Sequence, residues 1–297
     1  MPFIFKPLLD HGTTNPIVAR LSVQILKILD YCNLTQETRD RIGEIYLYSL
    51  QKKLLRCWEI KERLLESLRV AQKTYKLPSG QERAINLPQI ARLEEECHNF
   101  LYEAKNYIRD LLKVVNILYK ADFKEASEFL RAKKGRQSLI DFAIRTFGEH
   151  DARTRFLREA ASTVEYFIDF RNAVEHPGGY SGELRIENIS LDPDGKIAEP
   201  TWWREKNGQR VDAPSSIRAD METGIHNLLA SGESMIVFWA MDHLMAPALM
   251  RIRQIPAKQR NPKCPIKWDV TPSQHLEKLL KSQANKREAA PPAGERP

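Results

Sequence analysis

Apolar residues recur three and four apart along most of this chain, the spacing that lines one face of an α-helix. The first such run starts near Ile17 and continues through Val18, Leu21, Ile25 and Leu29. Asn33 and Thr35 supply a break and an N-cap. A second, longer run carries Ile42, Tyr46, Leu50, Leu54, Trp58, Leu65 and Leu68 until Lys76-Leu77-Pro78-Ser79-Gly80 stops it. Together they predict an N-terminal helical pair. From Pro88 to about Lys120, Leu101, Ala104, Ile108, Leu111, Val115 and Leu118 form a bundle-type stripe. Shorter helices are predicted around Phe123 to Ala132 and Gln137 to Thr146, separated by Lys133-Lys134-Gly135, and Gly148 resets the chain.

The next helix starts at or near Asp151. Its stripe of Leu157, Ala160, Val164 and Phe167 continues at the same spacing into Arg171 and Val174, and Pro177-Gly178-Gly179 ends it. The texture then changes. Leu184 to Leu191, the turn Asp194-Gly195, Ile197 to Trp203 and the turn Asn207-Gly208 predict a three-stranded antiparallel β-meander at about 181–213. Ser215 or Ser216 caps a last long helix, with Ile217, Met221, Ile225, Leu228, Met235, Trp239 and His243 on one side. Beyond it periodicity is lost through Pro256, Pro262, Pro265 and Pro272, apart from a short amphipathic piece at Leu276 to Leu280. The expected organisation is mainly α: a helical pair at 1–80 packed on a bundle at 81–255 with the β-meander inserted, and a basic, partly disordered tail at 256–297.

Length, 297 residues, allows a full core, and 42% hydrophobic residues exclude a disordered chain. The longest apolar stretch, Ser234 to Met241, meets Asp242 and His243 well before the roughly 18 residues a membrane span needs. The N-terminus has no secretory pattern, so a cytoplasmic address is expected. Cys32, Cys57, Cys97 and Cys264 are scattered and read as reduced thiols without a zinc or disulfide framework. Net charge is +7. It suits an anionic partner, RNA or an acidic protein. In the tail, Lys258, Arg260, Lys263, Lys267, Lys278, Lys281, Lys286 and Arg287 flank Trp268; this reads either as a solvated tail or as a surface that holds RNA by phosphate contact and stacking.

Phosphate-binding glycine loops, the nucleophile elbow and the zinc-protease helix motif are all missing from the sequence, so no cofactor and no metal are expected. Glu94-Glu95-Glu96 beside His98 offers metal-ligand residue types, but three consecutive carboxylates point in three directions around a helix, and the run reads as a solvated face. His243 reads as a satisfied core histidine.

One segment carries chemistry: Arg171-Asn172-Ala173-Val174-Glu175-His176. Arg171 interrupts an apolar stripe, so its charge starts from a core edge and needs a partner; Glu175, one turn on, offers a plain ion pair. His176 precedes Pro177, which turns it out of helical geometry, and a helix C-terminus favours imidazolium. A second Arg-x4-His, Arg145 to His150, has Gly148 inside it and no amide beside the Arg, and reads as structural.

The combination of Arg171, polar Asn172 and His176 at the end of a long bundle helix resembles the HEPN superfamily, over about residues 90–250 in architecture. Its members are helical bundles marked by Arg-polar-x-x-x-His, many of them metal-independent ribonucleases of toxin and antiviral defence systems. The resemblance implies a homodimer with one composite site, His176 as general acid or base, Arg171 on the phosphate, and Asn172 orienting the imidazole or binding phosphate. It further implies RNA as substrate and a cognate antitoxin or defence-system protein as partner. The β-meander and N-terminal pair depart from the minimal bundle. The alternative is a non-catalytic helical module that binds a protein partner or nucleotide.

Overall fold

The computed structural model describes residues 11–75, 86–132, 135–192, 194–274 and 276–278. The predicted terminator at Lys76 to Gly80, Lys133-Lys134 and the tail cations Lys281, Lys286 and Arg287 lie outside them. The fold is mainly helical with small antiparallel sheets. In chain order the elements are a helical turn α1 (Pro16–Val18), a π-helical turn (Ala19–Val23), α2 (Gln24–Asp30), α3 (Gln36–Ile45), a second π-helical turn (Tyr46–Leu50) and α4 (Gln51–Thr74). Next come α5 (Leu93–Tyr119), a 3-10 turn (Ala126–Phe129), α6 (Leu139–Phe147) and α7 (Ala152–Glu175). Strands β1 (Glu183–Glu187), β2 (Ser190–Leu191), β3 (Ile197–Ala198), β4 (Thr201–Lys206), β5 (Gln209–Arg210) and β6 (Ser215–Ser216) precede α8 (Ile217–Met241). Strands β7 (Met250–Gln254) and β8 (Trp268–Pro272) follow.

The chain divides into two compact units, 47–232 and 1–46 with 233–297, which cut it at different places from the expected 80 and 255. In the first, α5 is the central element. Its strong periodicity buries Cys97, Phe100, Leu101, Ala104, Tyr107, Ile108, Leu111 and Val115, and it packs against both α4 and α7. Helix α4 buries Leu54, Cys57, Leu64 and Leu68, while Trp58 and Leu65, expected on its stripe, are only half-buried. Helix α6 starts in a capping box of Ser138 and Asp141. Of the two short helices predicted between α5 and α7, the first is a single 3-10 turn.

Helix α7 begins as expected at Asp151, whose carboxylate accepts from the Arg153 N–H at 2.8 Å. Its inner face rests on α5 through an edge-to-face pair of Phe100 and Phe167 at 5.7 Å. Gly224 of α8 lies directly under Phe167; a Cβ there would sit 2.1 Å from ring carbon Cζ.

The β-region is more divided than a three-stranded meander. Pro200 separates Ile197 to Trp203 into two strands: β3 pairs with β2 in a small hairpin, and β4 pairs with β1, β5 and β6. Trp202 is fully buried, and its Nε1 donates to Asp220 Oδ2 at 2.7 Å. Tyr166 Oη donates to the same oxygen at 2.7 Å and Ser215 Oγ at 2.5 Å, so one carboxylate ties strand β4 to α7 and α8. Ser216 supplies the expected cap of α8, accepting from Ala219 N–H at 3.3 Å.

The second unit corrects the expected tail. Residues 250–272 are not aperiodic: β7 and β8 form an antiparallel hairpin with Ile252 opposite Val270, and Val270 is buried. Gln24 of α2 fastens its base, one side-chain oxygen accepting from Lys267 N–H at 2.6 Å and Trp268 N–H at 2.7 Å. Beneath lies fully buried Glu233, paired with Arg20, whose Nε donates at 2.8 Å, and with Lys267 at 2.9 Å. Charge buried this deeply is tolerable only because each partner is matched. His243 is satisfied as predicted, its Nδ1 against Trp239 O at 2.8 Å, but it is exposed instead of lying in the core.

Candidate functional site

The last turn of α7 lies beside the first half of α5. Arg171 leaves α7 where the apolar stripe predicts, and its side chain is 13% exposed. Its Nη2 sits 3.0 Å from Glu175 Oε1, the i,i+4 pair that helical spacing allows. Tyr102 of α5 flanks it, with the guanidinium carbon 5.4 Å from the ring centroid. Arg171 Nε is buried and has no acceptor among the described residues.

The other Glu175 oxygen is taken by Lys105 of α5 at 2.6 Å, and Lys105 also donates to Asn172 Oδ1 at 3.0 Å. Burial pushes the Glu175 carboxyl up, but the hydrogen bond from Lys105 and the charges of Lys105, Arg171 and His176 outweigh it and hold it below the usual carboxylate range. The ledge therefore carries two cations around one ionised carboxylate, an excess of positive charge. His98 stands on the same face of α5; burial lowers its imidazole below the usual range, Glu94 opposes this, and the Arg171 charge adds to the lowering.

His176 is the C-cap residue of α7, with φ −133° and ψ 67°, outside helical geometry as Pro177 dictates. Its N–H still donates to Asn172 O at 2.9 Å, and its side chain is exposed. Arg171 and Asn172 are thus gathered against α5, while His176 stands in solvent at the helix end. The Asn172 side-chain oxygen, expected either to orient the imidazole or to bind phosphate, accepts from Lys105. Lys105 and Tyr102 are residues that sequence reasoning missed, and His98 was read only beside Glu94 to Glu96, although the i, i+4, i+7 spacing of His98, Tyr102 and Lys105 puts them on one face of α5.

The second Arg-x4-His has no comparable setting. Gly148, at φ 97°, ends α6 between Arg145 and His150, and both side chains are exposed. Glu94 to Glu96 are a solvated face: Glu95 pairs with Arg92 and Glu96 with Arg63 at 2.7 Å. Among the described residues no group of three His, Cys, Asp or Glu is placed to hold a metal ion, and no helix is long and apolar enough to cross a membrane. In comparisons with known proteins, no family model, no curated protein and no solved structure matches this chain.

Proposed function

We propose that this chain is a HEPN-like, metal-independent endoribonuclease of the defence or toxin–antitoxin kind, acting through Arg171, Asn172 and His176. The observation that carries the reading is Arg171, a guanidinium drawn into the α5–α7 seam with one buried donor that has no partner among the described residues, five positions before the exposed imidazole of His176 at the helix end. RNA supplies its own nucleophile, the 2′-hydroxyl, so the protein needs only a base, an acid and a cation at the phosphate. His176 is free to take the 2′-hydroxyl proton or to give one to the departing 5′-oxygen. Two copies related by a two-fold axis supply both roles, one histidine each. Arg171 and Lys105 stabilise the phosphate charge, which competes with Glu175 for them.

A second reading has an observation of its own. Both Glu175 oxygens and the Asn172 oxygen are already occupied, as they would be in a structural clip holding α7 to α5 in a non-catalytic module that binds a protein partner or nucleotide. RNA cleavage in EDTA by wild type and His176→Ala separates the two. A nuclease loses about 10²–10⁴-fold in rate with an unchanged melting temperature, because His176 is exposed. Equal rates, or no wild-type cleavage across varied RNA substrates, overturn the proposal. A clip instead predicts a lower melting temperature for Glu175→Gln and no effect of His176→Ala on any RNA.

A further inference from the structure

Residues 250–267 contain six basic residues, Arg251, Arg253, Lys258, Arg260, Lys263 and Lys267, and no acidic one. At the chain's average of 39 acidic residues in 297, about two would be expected in such a stretch. Solubility alone calls for interspersed signs.

The structure separates cations with structural work from those without. Lys267 is bound to buried Glu233, and Arg251 faces Glu277 at 3.3 Å. Arg253, Lys258 and Lys263 are exposed and have no acidic partner among the described residues. Among the described residues the Arg260 side chain makes one hydrogen bond, from Nε to Ile255 O at 3.1 Å. The one acidic neighbour in register, Asp269 opposite Arg253, is claimed by Lys27 at 2.6 Å.

The segment carrying these charges is held in shape. Ile255 N–H donates to Lys267 O at 2.7 Å, closing the hairpin loop. Inside the loop, Ala257–Gln259 forms a 3-10 turn, Asn261 bridges to Cys264, and Lys263 O accepts from Thr13 Oγ1 at 2.9 Å. Pro256, Pro262 and Pro265 restrict the backbone further. A cation set on an ordered frame binds without first losing chain entropy.

The partner is identified by what the surface lacks. Protein interfaces have an apolar or aromatic centre. The exposed large hydrophobic side chains of the described residues are Val23, Tyr48, Val70, Tyr102, Tyr180, Val211, Met241, Met245 and Leu249, and none lies within 250–272. A surface of unpaired cations without such a centre fits a polyphosphate chain. Taking RNA as the polyphosphate on the strength of the nuclease reading, we propose that the β7–β8 hairpin and its loop bind the sugar–phosphate backbone of RNA through Arg253, Lys258, Arg260 and Lys263, independently of catalysis at α7.

The test uses the full chain carrying His176→Ala, a labelled 20-nucleotide oligo-uridine and fluorescence anisotropy at several salt concentrations. Arg253→Gln, Lys258→Gln and Lys263→Gln, combined, remove three exposed charges and leave the melting temperature unchanged. The slope of log affinity against log salt is expected to fall by about 2, at roughly 0.7 per phosphate contact on a single strand. Equal slopes and affinities for the two proteins, or no binding by the parent, overturn the proposal. Displacement of the RNA by poly-glutamate as effectively as by unlabelled RNA at equal charge also overturns it, in favour of an acidic protein partner. Cleavage activity does not enter the readout, so failure here and failure of the nuclease reading are seen separately.

Discussion

Asp110, on the α4-facing side of α5, offers a stability prediction whose size follows from the structure. Its side chain is 3% exposed and meets Ser49 Oγ at 2.5 Å, Lys53 Nζ at 2.8 Å and Lys113 Nζ at 2.7 Å. Burial pushes the carboxyl up, but the contacts from Lys113, Lys53 and Ser49 together outweigh it and bring the pKa from 3.8 to about 2. At 1.36 kcal/mol per unit, this ionised carboxylate contributes about 2 kcal/mol. Because the folded value is the lower one, the stabilisation is complete above pH 4 or so and is lost as pH falls through about 2. Asp110→Asn removes it. Urea denaturation of wild type and Asp110→Asn at pH 7, 5, 4 and 3 is expected to show a gap of about 2–3 kcal/mol at neutral pH that shrinks to about half by pH 3. A gap independent of pH, or none at pH 7, refutes the assignment of the charge network.

Two further predictions concern the elements that position α7. Gly224→Ala restores a good helix former, worth about 1 kcal/mol in an exposed helix, yet its Cβ would collide with the buried ring of Phe167. Overpacking dominates, and a net loss of about 1–3 kcal/mol in chemical denaturation is expected; a raised melting temperature would show that the ring has room to move. For His98, Arg171→Ala removes a nearby positive charge, so the imidazole midpoint followed by proton NMR rises toward its ordinary value. An unmoved midpoint would place Arg171 too far from His98 for the two to share a site.

Local sequence determined the helical body. In α5, apolar residues three and four apart led directly to the buried face, because helix geometry maps that spacing onto one side whatever the partner. The end of α7 was equally legible: Pro177 cannot continue a helix and forces His176 out of it, a constraint contained within two residues. Asp151 and Ser216 announced their helices for the same reason.

Tertiary structure decided what depends on distant residues meeting. The β7–β8 hairpin was missed although Met250-Arg251-Ile252-Arg253-Gln254 alternates as a strand should, because its partner begins at Trp268 beyond a proline-rich loop without a tight-turn signature. Likewise Arg171 and Glu175, one turn apart, could be paired by inspection, whereas Lys105, which claims both Glu175 and Asn172, lies 67 positions from the latter. Helix spacing is a property of the backbone and can be read along the chain. Which face of α5 meets which turn of α7 is set by how Phe100, Phe167 and Gly224 pack, and only the folded molecule brings them together.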